Sequence, residues 1–289
     1  FEGLWAAAFL LPAIALAVAA LDTQRVVNAE VRARITRTAD MLHEQAASTL
    51  EAQEGLLSAT VRRISGLDWE AIARSAEVHR FIRDIDERVP GTAALGLVAP
   101  DGHLVAASRR PVGVPPVDVS HRDYVVAHRE GDRTFVSGGG TYVTSVFVTE
   151  PNKLTVVGLS RPTLDAEGRP DGGVVTAIFV PQRFGDFYAR AAENPRDSVA
   201  LLRRDGAVLA RYPAPAAPVD ARLAPDHPLV RAMKGEAHGG LVETSAAQDG
   251  VDRLYAWRQV GSYPVVVAYG IDRAVIGADI RKRLLAPGA

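Results

Sequence analysis

Two short β-prone runs around an Asp-Gly dipeptide occur twice in this chain, in register and without a gap. Leu95 to Ala107 (LGLVAPDGHLVAA) returns as Val199 to Arg211 (VALLRRDGAVLAR), so that Leu97 matches Leu201, Asp101-Gly102 match Asp205-Gly206, and Ala106 matches Ala210. Asp-Gly tolerates the positive φ of a tight hairpin, so each copy predicts two antiparallel strands. One such hairpin is common. Two in register predict tandem copies of a larger unit. A length of 289 residues leaves room for two modest domains, each burying its own core.

Composition removes several classes. The net charge is −1, and no basic stripe is present, which argues against a nucleic-acid partner. Cysteine is absent, so disulfide scaffolds, cysteine-ligated metals and thiol catalysis are excluded. Leu4 to Leu21 (LWAAAFLLPAIALAVAAL) carries no charged residue. As a helix it would be about 27 Å long, close to the roughly 30 Å of a bilayer core. A cleaved signal peptide is the alternative, with Ala17-Val18-Ala19 as its cleavage site. The run exceeds the roughly 7–15 apolar residues of a signal peptide, which favours an uncleaved transmembrane helix over residues 1–21.

From Asp22 to Gly66 a helical stripe (Val27, Val31, Ile35, Ala39, Leu42, Ala46, Leu50, Leu57, Val61, Ile64) predicts a long helix, interrupted in polarity only by Gln53. So narrow a stripe needs partners, and both the globular modules and a twin helix in a dimer are expected along different segments. Leu67 to Arg88 reads as one or two short helices. After the first hairpin, Ser120 is a candidate N-cap for a helix over 122–129. Strands are expected at 134–137, 141–149, 154–161 and 173–180, and Pro181 opens a further helix. The second copy runs through the same order: hairpin, helix at 227–234, strands at 239–244 and 253–259, an apolar strand at 265–271, and an exit helix capped by Asp272. The fold class is therefore α+β, with antiparallel sheets and helices on their faces. The basic end of the exit helix (Arg281-Lys-Arg283) followed by small apolar residues suggests a truncation ahead of a second span.

Catalytic signals are poor. His43-Glu44 lacks the second histidine of a metalloprotease helix, Gly138-Gly139-Gly140 lacks the Lys-Ser/Thr of a phosphate loop, and no serine stands in a nucleophile elbow. His79, Asp84, Asp86 and Glu87 spread over several helix faces, so a solvated face is favoured over a metal site. No cofactor and no metal are expected. One segment is richer: Asp118-Val-Ser-His-Arg-Asp-Tyr-Val-Val-Ala-His-Arg129. Arg122, Tyr124 and His128 fall within two helical turns, an arrangement suited to a small carboxylate. Equally open from spacing alone is a structural role, with Arg122 paired to Asp118 or Asp123 and Tyr124 in the core.

Asp118 to Tyr124, followed by Ala127, Gly131 and Phe135-Val-Ser137, and then Ser160-Arg161-Pro162, Gly168 and Gly172-Gly-Val-Val175, resemble the tandem PAS-like Cache (double Cache) sensor domains of bacterial transmembrane receptors. The chain looks most like the extracytoplasmic half of a sensor histidine kinase. The resemblance covers nearly the whole chain. It implies a transmembrane helix at 1–21, a signalling helix at 22–66, a membrane-distal ligand-binding module at 67–192, a membrane-proximal module at 193–272 and an exit helix at 273–289. It also implies that Arg122 and Tyr124 match the family's ligand-gripping Arg-x-aromatic pair, with Asp123, His128, Ser137, Tyr142, Ser145 and Arg161 around the same pocket. Amino-acid-binding members carry an aspartate where Ile178 stands here, so a carboxylate or other small anion is favoured and a free amino acid disfavoured.

The implied protein is an inner-membrane receptor with its globular part in the periplasm, a homodimer, and no enzyme within this stretch. Its missing output is a histidine kinase. The alternatives are a diguanylate cyclase or chemoreceptor input, or a ligand-free interaction module.

Overall fold

The computed structural model describes residues 2–89, 91–150, 152–213, 221–235, 238–245 and 249–285; for residues 2–13, 15–17, 183, 284 and 285 it describes the backbone alone. Helix α1 (Glu2–Ile64) is one uninterrupted rod. No break separates the expected span at 1–21 from the expected helix at 22–66, and the rod ends two residues before Gly66. Every member of the stripe from Val27 to Ile64 is buried, and all belong to one core cluster shared by both modules. The stripe is thus covered within a single chain, which corrects its expected division between the modules and a twin helix. Gln53 does not interrupt this packing: its side chain is buried and donates to Thr92 Oγ1 at 3.0 Å, satisfying a polar group that burial would otherwise penalise.

In the first module, α2 (Trp69–Arg74) is capped by Asp68, which accepts from the N–H groups of Glu70 and Ala71. Ser75 then caps α3 (Ala76–Arg88) by accepting from Val78 N. The sheet that follows is built from β1 (Thr92–Val98), β2 (His103–Ala107), β3 (Val117–Asp118), β4 (Tyr142–Val143), β5 (Phe147–Val148), β6 (Thr155–Leu164) and β7 (Pro170–Phe179). Its order is β3-β2-β1-β7-β6-β4, all antiparallel, with β5 also on β6. Helix α4 (Asp123–Glu130) lies between β3 and β4 in sequence.

Two local expectations fail for identifiable reasons. Ser120 does not cap α4, because the helix starts later: Asp118 Oδ1 accepts from Ser120 N in a turn ahead of it, and Arg122 takes the N-cap position. The expected strand at 141–149 is split because Ser145 N donates to Asp123 Oδ2 (2.7 Å) instead of to a neighbouring strand. Residues 134–137 form no strand, only a bridge from Val136 to Tyr142.

Helix α5 (Gln182–Ala191) joins the modules. The second sheet comprises β8 (Ser198–Arg203), β9 (Val208–Tyr212), β10 (Gly239–Ser245), β11 (Asp252–Gln259) and β12 (Val265–Asp272), in the order β10-β11-β12-β8-β9. Central β12 is buried along its whole length, with α1 on one face and α6 (Pro228–Met233) on the other, which accounts for its continuous apolar sequence.

The repeat is structural as well as sequential. A bulge falls at Leu97/Val98 in one hairpin and at Leu201/Leu202 in the other. Gly102 and Gly206 turn with φ of 87° and 89°, and their carbonyls accept from Val119 N and Leu223 N, each at 2.9 Å.

The exit helix α7 (Arg273–Leu285) starts where Asp272 Oδ1 accepts from Ala274 N. It returns alongside α1: Ile276 and Ile280 pack on the shared core, and Arg283 pairs with Glu30 at 2.7 Å. Among the described residues no helix is long and apolar enough to cross a membrane. Most side chains of the predicted span at 4–21 lie outside the described residues.

Candidate functional site

The start of α4 organises a closed polar cluster. Asp123 accepts through Oδ2 from Ser145 N (2.7 Å), Ser145 Oγ (2.8 Å) and the Tyr142 hydroxyl (3.4 Å). Arg203, from the end of β8 in the second module, lies 3.6 Å from the same oxygen. Arg122 turns to the other side, donating to Val148 O at 2.9 Å with its guanidinium over the Phe147 ring. Tyr124 is buried between Val98, Val174 and Phe147. Burial pushes the phenols of Tyr124 and Tyr142 up to about 12, so both remain neutral donors at physiological pH. Arg122, Asp123, Tyr124, Tyr142 and Ser145 are therefore brought together, but their polar contacts are largely made with the protein itself. Ile178 is half-buried on the same sheet face as Val174 and Thr176, opposite Gly158.

The other predicted residues point elsewhere. On β6, β4 pairs with Leu159 and Ser160, and beyond it the stretch from Arg161 to Leu164 has, among the described residues, no strand on its outer side. A cavity of about 520 Å³ opens along this edge, between α1 (Ser58, Val61, Arg62), the C-terminal end of α4 (Ala127, His128) and the loop carrying Asp132, Arg133 and Val136. Arg161 and His128 line it. Ser137 lies beside it, buried, where its Oγ accepts from Thr141 N.

Three arginines, Arg62, Arg133 and Arg161, line this cavity against one acidic residue, Asp132, among the described residues. Among the described residues neither Arg62 nor Arg133 has a carboxylate within ion-pair distance. Arg161 is anchored by Ser58 Oγ (2.8 Å) and Gly139 O (2.7 Å) and lies 3.5 Å from Glu54. His128 shares a 2.9 Å hydrogen bond with Ser160 Oγ, and burial lowers its pKa to about 4, so it is a neutral imidazole at pH 7. The surplus of positive charge, the open mouth and the neutral hydrogen-bonding histidine suit a small anion.

Further residues outside the predicted set complete this region. Arg203 is buried between the modules, donating to Val143 O (3.1 Å) and Asp205 (2.9 Å for Nη2) and stacking on Phe135 at 3.9 Å. Arg203 and Arg222 hold the Asp205 carboxyl below its usual range although burial opposes them. The signal was present in the repeat: Arg203 stands where the first copy has Ala99, a charge at the buried end of a strand. Glu54 and Tyr263 meet at the junction of α1 with both modules, and the one trace of it in the sequence was Gln53, a polar residue in the apolar stripe of α1 next to Glu54.

This two-module architecture is that of the Cache sensor domains. Residues 181–270 match the dCache_1-like family model, described as a histidine kinase sensor domain. Among solved structures, the extracellular domain of a histidine kinase designated rpHK1S-Z16 is similar at a TM-score of 0.73 and 24% identity, over 88% of this chain and 99% of that one. The periplasmic sensory domain of the Campylobacter jejuni chemoreceptor Tlp1 is similar at 0.64 and 11%, over 87% and 98%. The ligand-binding domain of the Pseudomonas aeruginosa PAO1 amino acid chemoreceptor PctB, in complex with L-Arg, is similar at 0.62 and 15%, over 90% and 94%. No curated protein sequence matches the chain.

Proposed function

We propose that this chain is the extracytoplasmic sensing region of a membrane-bound bacterial signalling receptor, and that it binds a small anionic metabolite in the cavity beside α1 and α4. The observation that carries this reading is the trio Arg62, Arg133 and Arg161 around one cavity with Asp132 as the only opposing acidic residue among the described residues of its lining. Charge-assisted hydrogen bonds from guanidinium to carboxylate or phosphate are short and directional, and stronger than neutral ones. Arg122 and Tyr124 then act as the wall that fixes α4 against the sheet.

The uncharged run at 4–21, within the first part of α1, supports a membrane anchor, and the first module becomes the membrane-distal one. The wording of the family model supports a histidine kinase as the output. Dimerisation belongs to the same proposal and uses faces of α1 other than the buried stripe. Ile178 does not disfavour a free amino acid as the ligand. Neighbours of the same fold are described with GABA and L-Arg bound, and both ligands present the carboxylate that this cavity suits.

A thermal-shift screen of mono- and dicarboxylates, phosphate esters and amino acids tests the proposal. At least one anion is expected to raise the melting temperature by several degrees when present at roughly 100 times its Kd, equivalent to about 2.7 kcal/mol. Arg133→Gln is expected to reduce that shift. No stabilisation by any compound, combined with tight binding of a periplasmic protein, would instead support a ligand-free interaction module.

A further inference from the structure

Glu54 lies on α1 where the two modules meet. Its carboxylate accepts from Thr141 Oγ1 (2.7 Å), from Arg161 Nη1 (3.5 Å) and from the hydroxyl of Tyr263. Thr141 and Arg161 belong to the first module, and Tyr263 to the turn between β11 and β12 of the second. The turn also approaches the first module directly, since a Cβ on Gly138 would stand 3.4 Å from Ser262 Cβ, while Gly139 packs on Glu54 of α1, where a Cβ would meet Oε1 at 2.6 Å. Burial, and after it the hydrogen bond to Glu54, raises the pKa of Tyr263 and keeps its hydroxyl a donor.

Of the three donors to Glu54, Arg161 alone lines the cavity. Its contact with Glu54 is the longest of those measured, and the two side chains are 29% and 21% exposed. A partly exposed ion pair at that distance is the weakest tie of the group and the easiest for a second anion to displace. A carboxylate gripped by both Nη atoms would also compete with Gly139 O, which Nη2 now serves.

Building on the anion-binding reading of the cavity, we propose that Arg161 is a shared component of two sites: an anion in the first-module cavity draws its guanidinium away from Glu54 and Gly139, loosening residues 137–141 from the 261–263 turn of the second module. Occupancy of the cavity is thereby converted into a change in the contact between modules, on the helix that also pairs with α7 through Glu30 and Arg283.

The chain has no cysteine, so an introduced pair reports this contact alone. Gly138→Cys with Ser262→Cys places Cβ atoms at a separation close to the roughly 3.8 Å of a natural disulfide, and the readout is the rate of disulfide formation under a mild oxidant in the intact chain. Adding Arg161→Gln, without any ligand, is expected to slow the reaction about fivefold, the effect of losing an ion pair of this class. Glu54→Gln is expected to slow it similarly, and the double variant no further. Succinate, at a concentration that raises the melting temperature, is expected to slow it in the Arg161 background and not in Arg161→Gln. A folded Arg161→Gln or Glu54→Gln protein that cross-links at the original rate overturns the proposal. So does an unchanged rate in stabilising succinate. Either result leaves anion binding itself standing, which fails separately if no anion shifts the melting temperature.

Discussion

His128 is held near a pKa of about 4, chiefly by burial, while its hydrogen bond to Ser160 opposes the shift. An unfolded histidine titrates near about 6.5. Between those values the unfolded chain takes up a proton that the folded chain refuses, so His128 costs nothing above about pH 6.5 and destabilises the fold progressively as the pH falls toward 4. Denaturant unfolding at about pH 7.5 and about pH 5 is expected to differ by about 2 kcal/mol from this residue. His79 and His227, whose pKa values burial also lowers, act in the same direction, so His128→Gln should shrink the difference without abolishing it. An undiminished difference in that variant would show that His128 is not the group resisting protonation.

At the same scale lies the contrast between what was legible and what was not. Arg122, Asp123 and Tyr124 stand together in sequence and were found together. Arg161 owes its setting to Ser58 and Gly139, and nothing local in the sequence marks that meeting. Arg62 and Arg133 read as ordinary surface charges until the cavity places them on either side of it.

Among the elements, the hairpins were legible because their information is local. Asp-Gly sets the turn, and alternation sets the faces. The equivalence extends further, since the strand-like segments at Val119 and Leu223 dock on Gly102 O and Gly206 O in the same manner. Both glycines combine positive φ with crowding: a Cβ would come within 2.5 Å of Ser120 Cβ at Gly102 and within 2.8 Å of Leu223 O at Gly206. Gly102→Ala and Gly206→Ala are therefore each expected to destabilise the protein by about 2 kcal/mol or more, measured as a shift in the denaturant midpoint. A loss below about 0.5 kcal/mol at either site would contradict the equivalence of the two turns. The strand expected at 141–149 failed because Asp123, far away in sequence, captures the N–H of Ser145. Side-chain competition for a backbone donor leaves no periodic trace.

Across the whole molecule, α1 is the common spine. Its stripe forms one core with both sheets, Glu54 joins it to both modules, and its N-terminal half lies beside α7. A ligand that favours one arrangement of the first module on this spine shifts the population of the whole assembly by no more than its difference in affinity for the two states. The stripe made the spine readable from the sequence. Packing of the stripe on the modules was expected for part of its length; that one chain's modules cover all of it was not readable, because a single stripe is equally compatible with a twin helix. Isothermal titration calorimetry of the most stabilising anion against the unmodified chain, Arg161→Gln and Arg122→Gln tests the central claim, that the cavity between α1, α4 and the edge of β6 is the sensory site. Arg161→Gln is expected to weaken binding about 30-fold, corresponding to about 2 kcal/mol, with Arg122→Gln close to the unmodified affinity. Binding lost with a folded Arg122→Gln and retained with Arg161→Gln would contradict it, placing the ligand at the start of α4 instead.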